Sequence, residues 1–452
     1  MAKRVSTEKS QKSSFSELND MLSKFSPDGA IIEDSIYAKI DEWIPTGSYI
    51  LNAALSGSLF GGMPNRRSLM FAGQEGTGKT YLACSIVRSA QAMDYFPIYY
   101  DSEGSIDVDF VKRLGIDTTK FRIENVNTIE EFATLAAKLN ETIATIRGQG
   151  KTPPKIMVVL DSLGNLSSTK EKEDTTAGSG KRDMTKQQSI RRMFRVIGTD
   201  FAKNGIPFII CNHVYAAIGG FRPGDEISGG GGTKYNSSII FVLSKSKLSD
   251  KDSEEHVKNQ GLDKYTKVGI VVTVHPFKQR FARPIKVQIH IPFYKKPNPY
   301  VGLEKFVNWD TCGIVRGNMI TPKEFNKLPA AEQKKCRDFL IPQEGLKIGD
   351  DGTRYAQSKD TARKLVCEHL HGEVPIAELY TPKVFTEEVL HLLDDNIIKK
   401  TFMLPSIESL EDLAEVTGDL MDDAEMGDIN IGDDNGVEDF GEFSEEPTPY
   451  EI

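Results

Sequence analysis

The 452-residue chain contains no apolar run approaching the roughly 18 residues that a membrane-crossing helix requires. Residues 1–15 are polar and rich in lysine and serine, so the charged-then-apolar profile of a secretory leader is missing too. A soluble, non-secreted protein with no membrane partner is expected. Cysteine is scarce and poorly placed for its structural uses. The five residues Cys84, Cys211, Cys312, Cys336 and Cys367 are odd in number and form no C-x-x-C pair. That excludes a disulfide framework and a zinc site, and makes a reducing cytoplasm the expected compartment. Positive charge is absent from one end. Residues 407–452 hold 17 of the 65 acidic residues and no Lys or Arg, leaving 48 acidic against 56 basic groups elsewhere. A net charge of -9 therefore conceals a mildly basic body with an acidic tail. The tail either competes with a polyanion for the basic surface or only solubilises the chain.

What is present divides into four parts: a leader over 1–40, a regular core over 41–295, a less regular region over 296–406, and the tail, which is too acidic to fold by burial. With 39% hydrophobic residues the chain can build one large core or two to three smaller ones. In the leader, Leu18, Met21, Leu22 and Phe25 recur at helical spacing behind Ser16. So short a helix must lay its stripe on the body or on another subunit. From 46 to 293, strand-like runs ("SLMFAG", "FPIYYD", "KIMVVLD", "PFIICNH", "SIIFVLSK", "VGIVVTV") alternate with the helical stretches "KTYLACSIVRSAQAM", "EEFATLAAKLNETIATI" and "SIRRMFRVIGTDFAKN". Nearly continuous apolar strands separated by helices predict an α/β fold with a parallel-rich sheet covered on both faces. Beyond 295, "EQKKCRDFL", "TARKLVCEHLH" and "TEEVLHLLDDNII" predict a mostly helical region.

"GQEGTGKT" follows a strand and opens a helix, the pattern of a phosphate-binding loop: Gly73, Gln74, Glu75, Gly76, Thr77, Gly78, Lys79 and Thr80. Its glycines turn backbone N–H groups onto phosphates, Lys79 reaches the β/γ oxygens, and the Thr80 hydroxyl can ligate Mg²⁺. The metal also needs a carboxylate at the end of a neighbouring buried strand, and "KIMVVLDS" supplies Asp161. A water-activating group is offered by "IYYDSEG", where spacing does not choose between Asp101 and Glu103. The stretch "IGGFRPGDEISGGGGTKY", residues 218–235, reads as neither helix nor strand interior.

Taken together, "TGSYILNAALSGSLFGGMPNRRSLMFAG" leading into the phosphate loop, "YYDSEGSID", "VVLDSLGNL" and "IICNH" followed by the glycine-rich stretch resemble the RecA-type recombinase family over about residues 40–295. "LDSLGNLSSTKEKED", "DMT" and "NHVY" add a resemblance to its phage-encoded branch, the UvsX-type strand-exchange proteins. The resemblance implies a RecA-like P-loop ATPase core that uses ATP and Mg²⁺, with the leader helix serving polymerisation. It makes Glu103 the preferred water activator, and puts Asp107 and Phe110 at the adenine. His213 stands where bacterial members carry the glutamine that senses the γ-phosphate. Lys278 and Arg280, in "KQRFARPIK", would reach the ATP of the adjacent subunit, although alone they read as a solvated strand edge. Two DNA-facing loops are implied: one over 169–184 with Lys181, Arg182 and the apolar wedge Met184, the other with the wedge Ile218, its helper Phe221, the phosphate contact Arg222 and the hinge glycines Gly229 and Gly230. Arg191 and Arg192 either add to this surface or lie on a solvated helix face.

The implied activity is that of a DNA-dependent ATPase forming helical homo-oligomeric filaments on single-stranded DNA and exchanging strands with double-stranded DNA, in recombination, repair and recombination-dependent replication. A recombination mediator and a single-strand-binding protein are the implied partners, in a host bacterial cytoplasm. Two rivals share the fold: a hexameric helicase motor, and an ATP-switched DNA-binding or mediator protein without strand exchange.

Overall fold

A computed structural model describes residues 15–26, 29–176, 185–216, 225–248, 267–307, 309–312, 314–317, 347–348, 354–355, 372–375, 380–382 and 384–405. Its centre is an eight-stranded sheet, and the reason lies in the apolar runs. β3 (Ser68–Gly73) and β7 (Phe208–Asn212) are buried almost throughout, which is what a strand covered on both faces demands. Around them lie β4 (Tyr95–Asp101), β5 (Arg122–Asn125), β6 (Lys155–Asp161), β10 (Ile239–Lys247), β11 (Gly269–Lys278) and β12 (Val287–Pro292). The order is β12-β11-β10-β3-β7-β6-β4-β5. The six strands from β10 to β5 run parallel, and β11 and β12 close one edge antiparallel.

Strand alternation sorts the core into two layers. Met70, Ala72, Ile98, Tyr100, Val158, Leu160 and Ile210 face α5 (Ile129–Gly148) and α7 (Lys186–Asn204), which contribute Phe132, Ile143, Met193, Ile197 and Phe201. Their neighbours Leu69, Phe71, Tyr99, Val159 and Ile209 face the opposite side, where α3 (Lys79–Gln91) packs. Because the strands are parallel and in register (Ala72 beside Asn212, Asp101 beside Asp161), their carboxyl ends collect at one edge of the sheet. Open parallel sheets bind their ligands in the crevice outside that edge.

The six strand-like runs and three helices read from the sequence are present, with ends shifted by a few residues. β5 and β12, and α2 (Tyr49–Ser56), were not anticipated: β5 is a mostly exposed edge without an apolar run, and β12 alternates polar and apolar residues. Two loop assignments need correction. Residues Thr169–Thr176 of the first stretch form α6. In the second stretch, β9 (Asp225–Ile227) pairs antiparallel with β8 (Val214–Ala216), and Gly230–Asn236 form α8. The glycines there serve close packing: Gly229 turns at φ 90° to cap α8, and a Cβ on Gly232 would overlap the Arg191 side chain of α7. Helix formation thus follows from contact with α7, which glycine content does not reveal.

In the leader, α1 (residues 15–25) leaves its stripe in solvent, Phe25 being 86% exposed. "TEEVLHLLDDNII" is helical as expected, Glu387–Leu393 continuing through a π turn at Asp394–Ile398 into Lys399–Phe402. It is tied to the end of α2 because Asp394, 1% exposed, accepts from Ser58 Oγ and from the Leu59 amide, each at 2.7 Å. "EQKKCRDFL", "TARKLVCEHLH" and the acidic tail lie outside the described residues. No helix among those described is long and apolar enough to cross a membrane.

Candidate nucleotide-binding site

The turn between β3 and α3 is shaped by glycine. Gly76 and Gly78 adopt φ 69° and 89°, and a Cβ on Gly78 would meet Ile291 Cδ1 at 2.7 Å. Gln74, Glu75 and Gly76 form an exposed crest over the first turn of α3, where unpaired N–H groups and the helix dipole favour an anion. Lys79 is 8% exposed and folds back under the crest, its Nζ donating to the carbonyls of Gly73 (2.9 Å) and Gln74 (3.0 Å). Thr77 Oγ1 donates to the same Gln74 carbonyl at 2.9 Å. A second ammonium, on Lys245 of β10, donates to the Glu75 carbonyl at 2.6 Å. It carries no motif, and only strand register brings it there.

One strand beyond β7, β6 ends at Asp161, 1% exposed. Its Oδ2 accepts from Thr80 Oγ1 and from the Tyr99 hydroxyl, both at 2.6 Å. Burial pushes the Asp161 pKa up, and these two donors pull against that shift. A hydroxyl and a carboxylate beside a phosphate-binding turn are the hard oxygen donors that suit Mg²⁺, an ion that draws its remaining ligands from substrate phosphates and water. Thr80 and Asp161 would hold it, and bound there it would offset phosphate charge.

The structure separates Asp101 from Glu103. Asp101 is 2% exposed, and its Oδ1 accepts the amides of Glu103 (2.9 Å) and Gly104 (2.8 Å), so it shapes the turn after β4. Glu103 is thereby presented at the sheet edge. Its Oε1 accepts from Ser162 Oγ at 2.5 Å and lies 2.8 Å from His213 Nε2, which is also 3.1 Å from Ser162 Oγ. Since an ionised carboxylate only accepts, Nε2 carries the proton in this arrangement. Burial raises the Glu103 pKa, but the hydrogen bonds from Ser162 and His213 and the charges of His213 and Lys79 outweigh it, so the net direction is down. The carboxylate is therefore ionised at neutral pH. Ser102 locks the two turns together, its hydroxyl donating to the Ser162 carbonyl (2.8 Å) and accepting from the Ser162 amide (2.9 Å).

His213 also touches the base of the second glycine-rich stretch. Its carbonyl accepts from Ser228 N at 2.9 Å, and the buried Asn212 side chain donates to the Ser228 carbonyl at 2.8 Å. Gly164 makes room for this: a Cβ there would stand 2.8 Å from His213 Cδ2 and 3.1 Å from Asn212 Oδ1. Gly164→Ala is expected to push the imidazole off Glu103. Nucleotide turnover should fall at least about tenfold, while the melting midpoint drops only a few degrees, as for about 1 kcal/mol of overpacking. Full turnover in that variant would show that the imidazole contact is dispensable.

The remaining predicted residues are spread more widely. Asp107 caps α4 (Val108–Arg113) by accepting from the Phe110 amide at 2.8 Å, and Phe110 is half-buried. Lys278 ends β11, its Nζ donating to the Lys234 carbonyl at 3.0 Å; burial lowers its pKa, and the nearby Arg280 adds to the shift. Strand register sets Lys278 opposite Ile240, which pairs with Met70, three residues before Gly73. At about 3.3 Å per residue this is roughly 10 Å along the strands from the phosphate turn. Lys278 thus stands well back from the glycine-rich turn of its own chain. Gly229 and Gly230 lie at the start of α8, whereas Lys181, Arg182, Met184, Ile218, Phe221 and Arg222 lie outside the described residues. Tyr99, Ser162, Gly164 and Lys245 were not singled out from the sequence, although the "YYD" and "DSLGN" runs contain three of them.

The model of the RecA N-terminal domain matches residues 17–293. The "Recombination and repair protein" of Enterobacteria phage T4 is 30% identical over 203 residues, which is 44% of this chain and 50% of that protein. "Protein RecA" of Treponema denticola is 26% identical over 266 residues, 58% of each chain, and "Protein RecA" of Helicobacter pylori strain P12 is 29% identical over 247 residues, 53% of this chain and 65% of the relative. The match thus spans between half and two thirds of these relatives' length. A domain match over most of the chain, a mostly parallel sheet and a glycine-rich turn at its carboxyl edge agree, and the chain belongs to the RecA family.

Proposed function

We propose that the protein is an ATP-dependent DNA recombinase: it assembles as a helical filament on single-stranded DNA, pairs that strand with homologous duplex and exchanges partners, hydrolysing ATP with Mg²⁺ to release the product. The observation that carries this reading is the contact of His213 Nε2 with Glu103, 2.8 Å from its carboxylate, while the His213 carbonyl accepts from Ser228 at 2.9 Å. One residue thereby joins the water-activating group to the base of the second DNA-facing stretch. Nucleotide state and DNA grip then share a connection, as a polymer that binds with ATP and lets go after hydrolysis requires.

In this reading Lys79 and the backbone of 73–80 hold the triphosphate, Glu103 takes a proton from the attacking water, and Asp107 and Phe110 contact the adenine. Lys181, Arg182 and Arg222 contact phosphates, Met184, Ile218 and Phe221 enter the base stack, and Gly229 and Gly230 hinge the second stretch. The register of β11 supports a role for Lys278 and Arg280 at a neighbour's ATP, since they stand away from their own. The exposed stripe of α1 offers the surface by which neighbours join head to tail in an open assembly. A mediator, a single-strand-binding protein and a bacterial cytoplasm complete the setting. Electron microscopy on single-stranded DNA with a slowly hydrolysed ATP analogue should show open helical filaments, and homologous duplex should then yield joint molecules. Closed rings would reassign the fold to a hexameric motor, and filaments without joint molecules to an ATP-switched binding protein.

A further inference from the structure

Two hydroxyl donors meet one oxygen at Asp161, where the buried Cys211 thiol is a further, weaker partner of the carboxylate, and the two hydroxyls are not equivalent. Thr80 belongs to the first turn of α3, and its oxygen lies where nucleotide and cation arrive. Tyr99 sits inside β4 directly beside Val159 of β6, fully buried, with its ring 5.6 Å from that of Phe121. It cannot follow a ligand. Phenylalanine would fill the same space without bringing a polar atom into the core, so the hydroxyl is what needs a reason. Burial and the neighbouring Asp161 charge push the Tyr99 pKa well up, which keeps the phenol a donor at neutral pH.

A carboxylate at a strand end turns freely about its Cβ–Cγ bond unless something holds it. With both donors on Oδ2, rotation breaks both hydrogen bonds. A nucleotide and cation would engage Thr80 at the start of α3, whereas Tyr99 is buried inside the sheet and out of their reach. We propose that Tyr99 is a positioning residue for the divalent-cation site: its hydroxyl fixes the orientation of Asp161 independently of the nucleotide, so that the protein's carboxylate ligand is preset when the cation arrives. This rests on the reading of residues 73–80 and Asp161 as a Mg²⁺-nucleotide site.

The test is binding of a fluorescent, non-hydrolysable ATP analogue to the full chain as MgCl₂ is varied. For Tyr99→Phe, affinity in EDTA should stay within about twofold of the unsubstituted protein. The MgCl₂ concentration giving half of the cation-dependent gain should rise at least about tenfold, the usual consequence of removing an outer hydrogen-bond partner of a metal ligand. A purely structural role would move both measurements together. If the unsubstituted protein itself shows no MgCl₂ dependence, the site reading fails; if it does and Tyr99→Phe follows the same curve, the Tyr99 inference alone is overturned. Because removing a donor from a buried carboxylate can unfold a protein, Tyr99→Phe is also compared in an Asp161→Asn background, where no buried charge is stranded. There it should change nothing further, and an independent loss would show that the phenol does not act through Asp161.

Discussion

Replacing Lys79 with alanine is expected to lower ATP affinity about 100-fold or more and to abolish nucleotide-dependent binding to single-stranded DNA. Lys79 is 8% exposed and its ammonium is already aimed into the crest of the turn, so a phosphate arriving there would be met by a charge-assisted hydrogen bond in a largely dehydrated setting. Truncating one partner of such a pair costs roughly 2–5 kcal/mol, and each 1.4 kcal/mol or so is a factor of ten. Titration with a fluorescent ATP analogue reads the effect directly. The fold should persist, since the lysine's own partners are only two carbonyls, those of Gly73 at the very end of β3 and of Gln74 in the exposed turn. Unchanged affinity would remove the phosphate site from residues 73–80.

Glu103→Gln is expected to slow phosphate release on single-stranded DNA by about 10²- to 10⁴-fold, the range for losing a general base, with ATP affinity nearly unchanged. The glutamine keeps an oxygen to accept from Ser162 and His213 but has no basicity to take a proton from water. Held in its triphosphate state, the protein should leave DNA more slowly than the unsubstituted chain. Phosphate release within about tenfold of normal would instead return the role to another group. Asp101 is a poor substitute, because both amides of the turn already occupy its Oδ1.

These two residues illustrate what could be read without a structure. Lys79 sits in a pattern whose spacing is itself the mechanism, so strand, turn and helix follow from eight letters. The buried strands announced themselves because a strand covered on both faces must be apolar at every position. Glu103 could not be told from Asp101 by spacing, since Asp101 ends the strand and Glu103 lies only two residues beyond it. The distinction is a hydrogen-bond pattern that only the folded turn creates. Lys245 depends on the register of β10 against β3, a long-range pairing with no local trace. The second glycine-rich stretch misled for the opposite reason. Local composition argued against helix or strand, whereas the absence of side chains is what lets α8 press against α7.

The Lys79 ammonium donates to two carbonyls of its own motif, those of Gly73 and Gln74. Any anion that enters must therefore displace existing bonds, each charged hydrogen bond contributing on the order of 1.5–3 kcal/mol. A single orthophosphate replaces too few of them to gain much, but a triphosphate that also engages the α3 amides, Thr80 and a cation recovers the loss many times over. On the proposed reading of residues 73–80, this self-satisfaction of the turn is expected to weaken binding of a lone orthophosphate more than that of a longer polyanion.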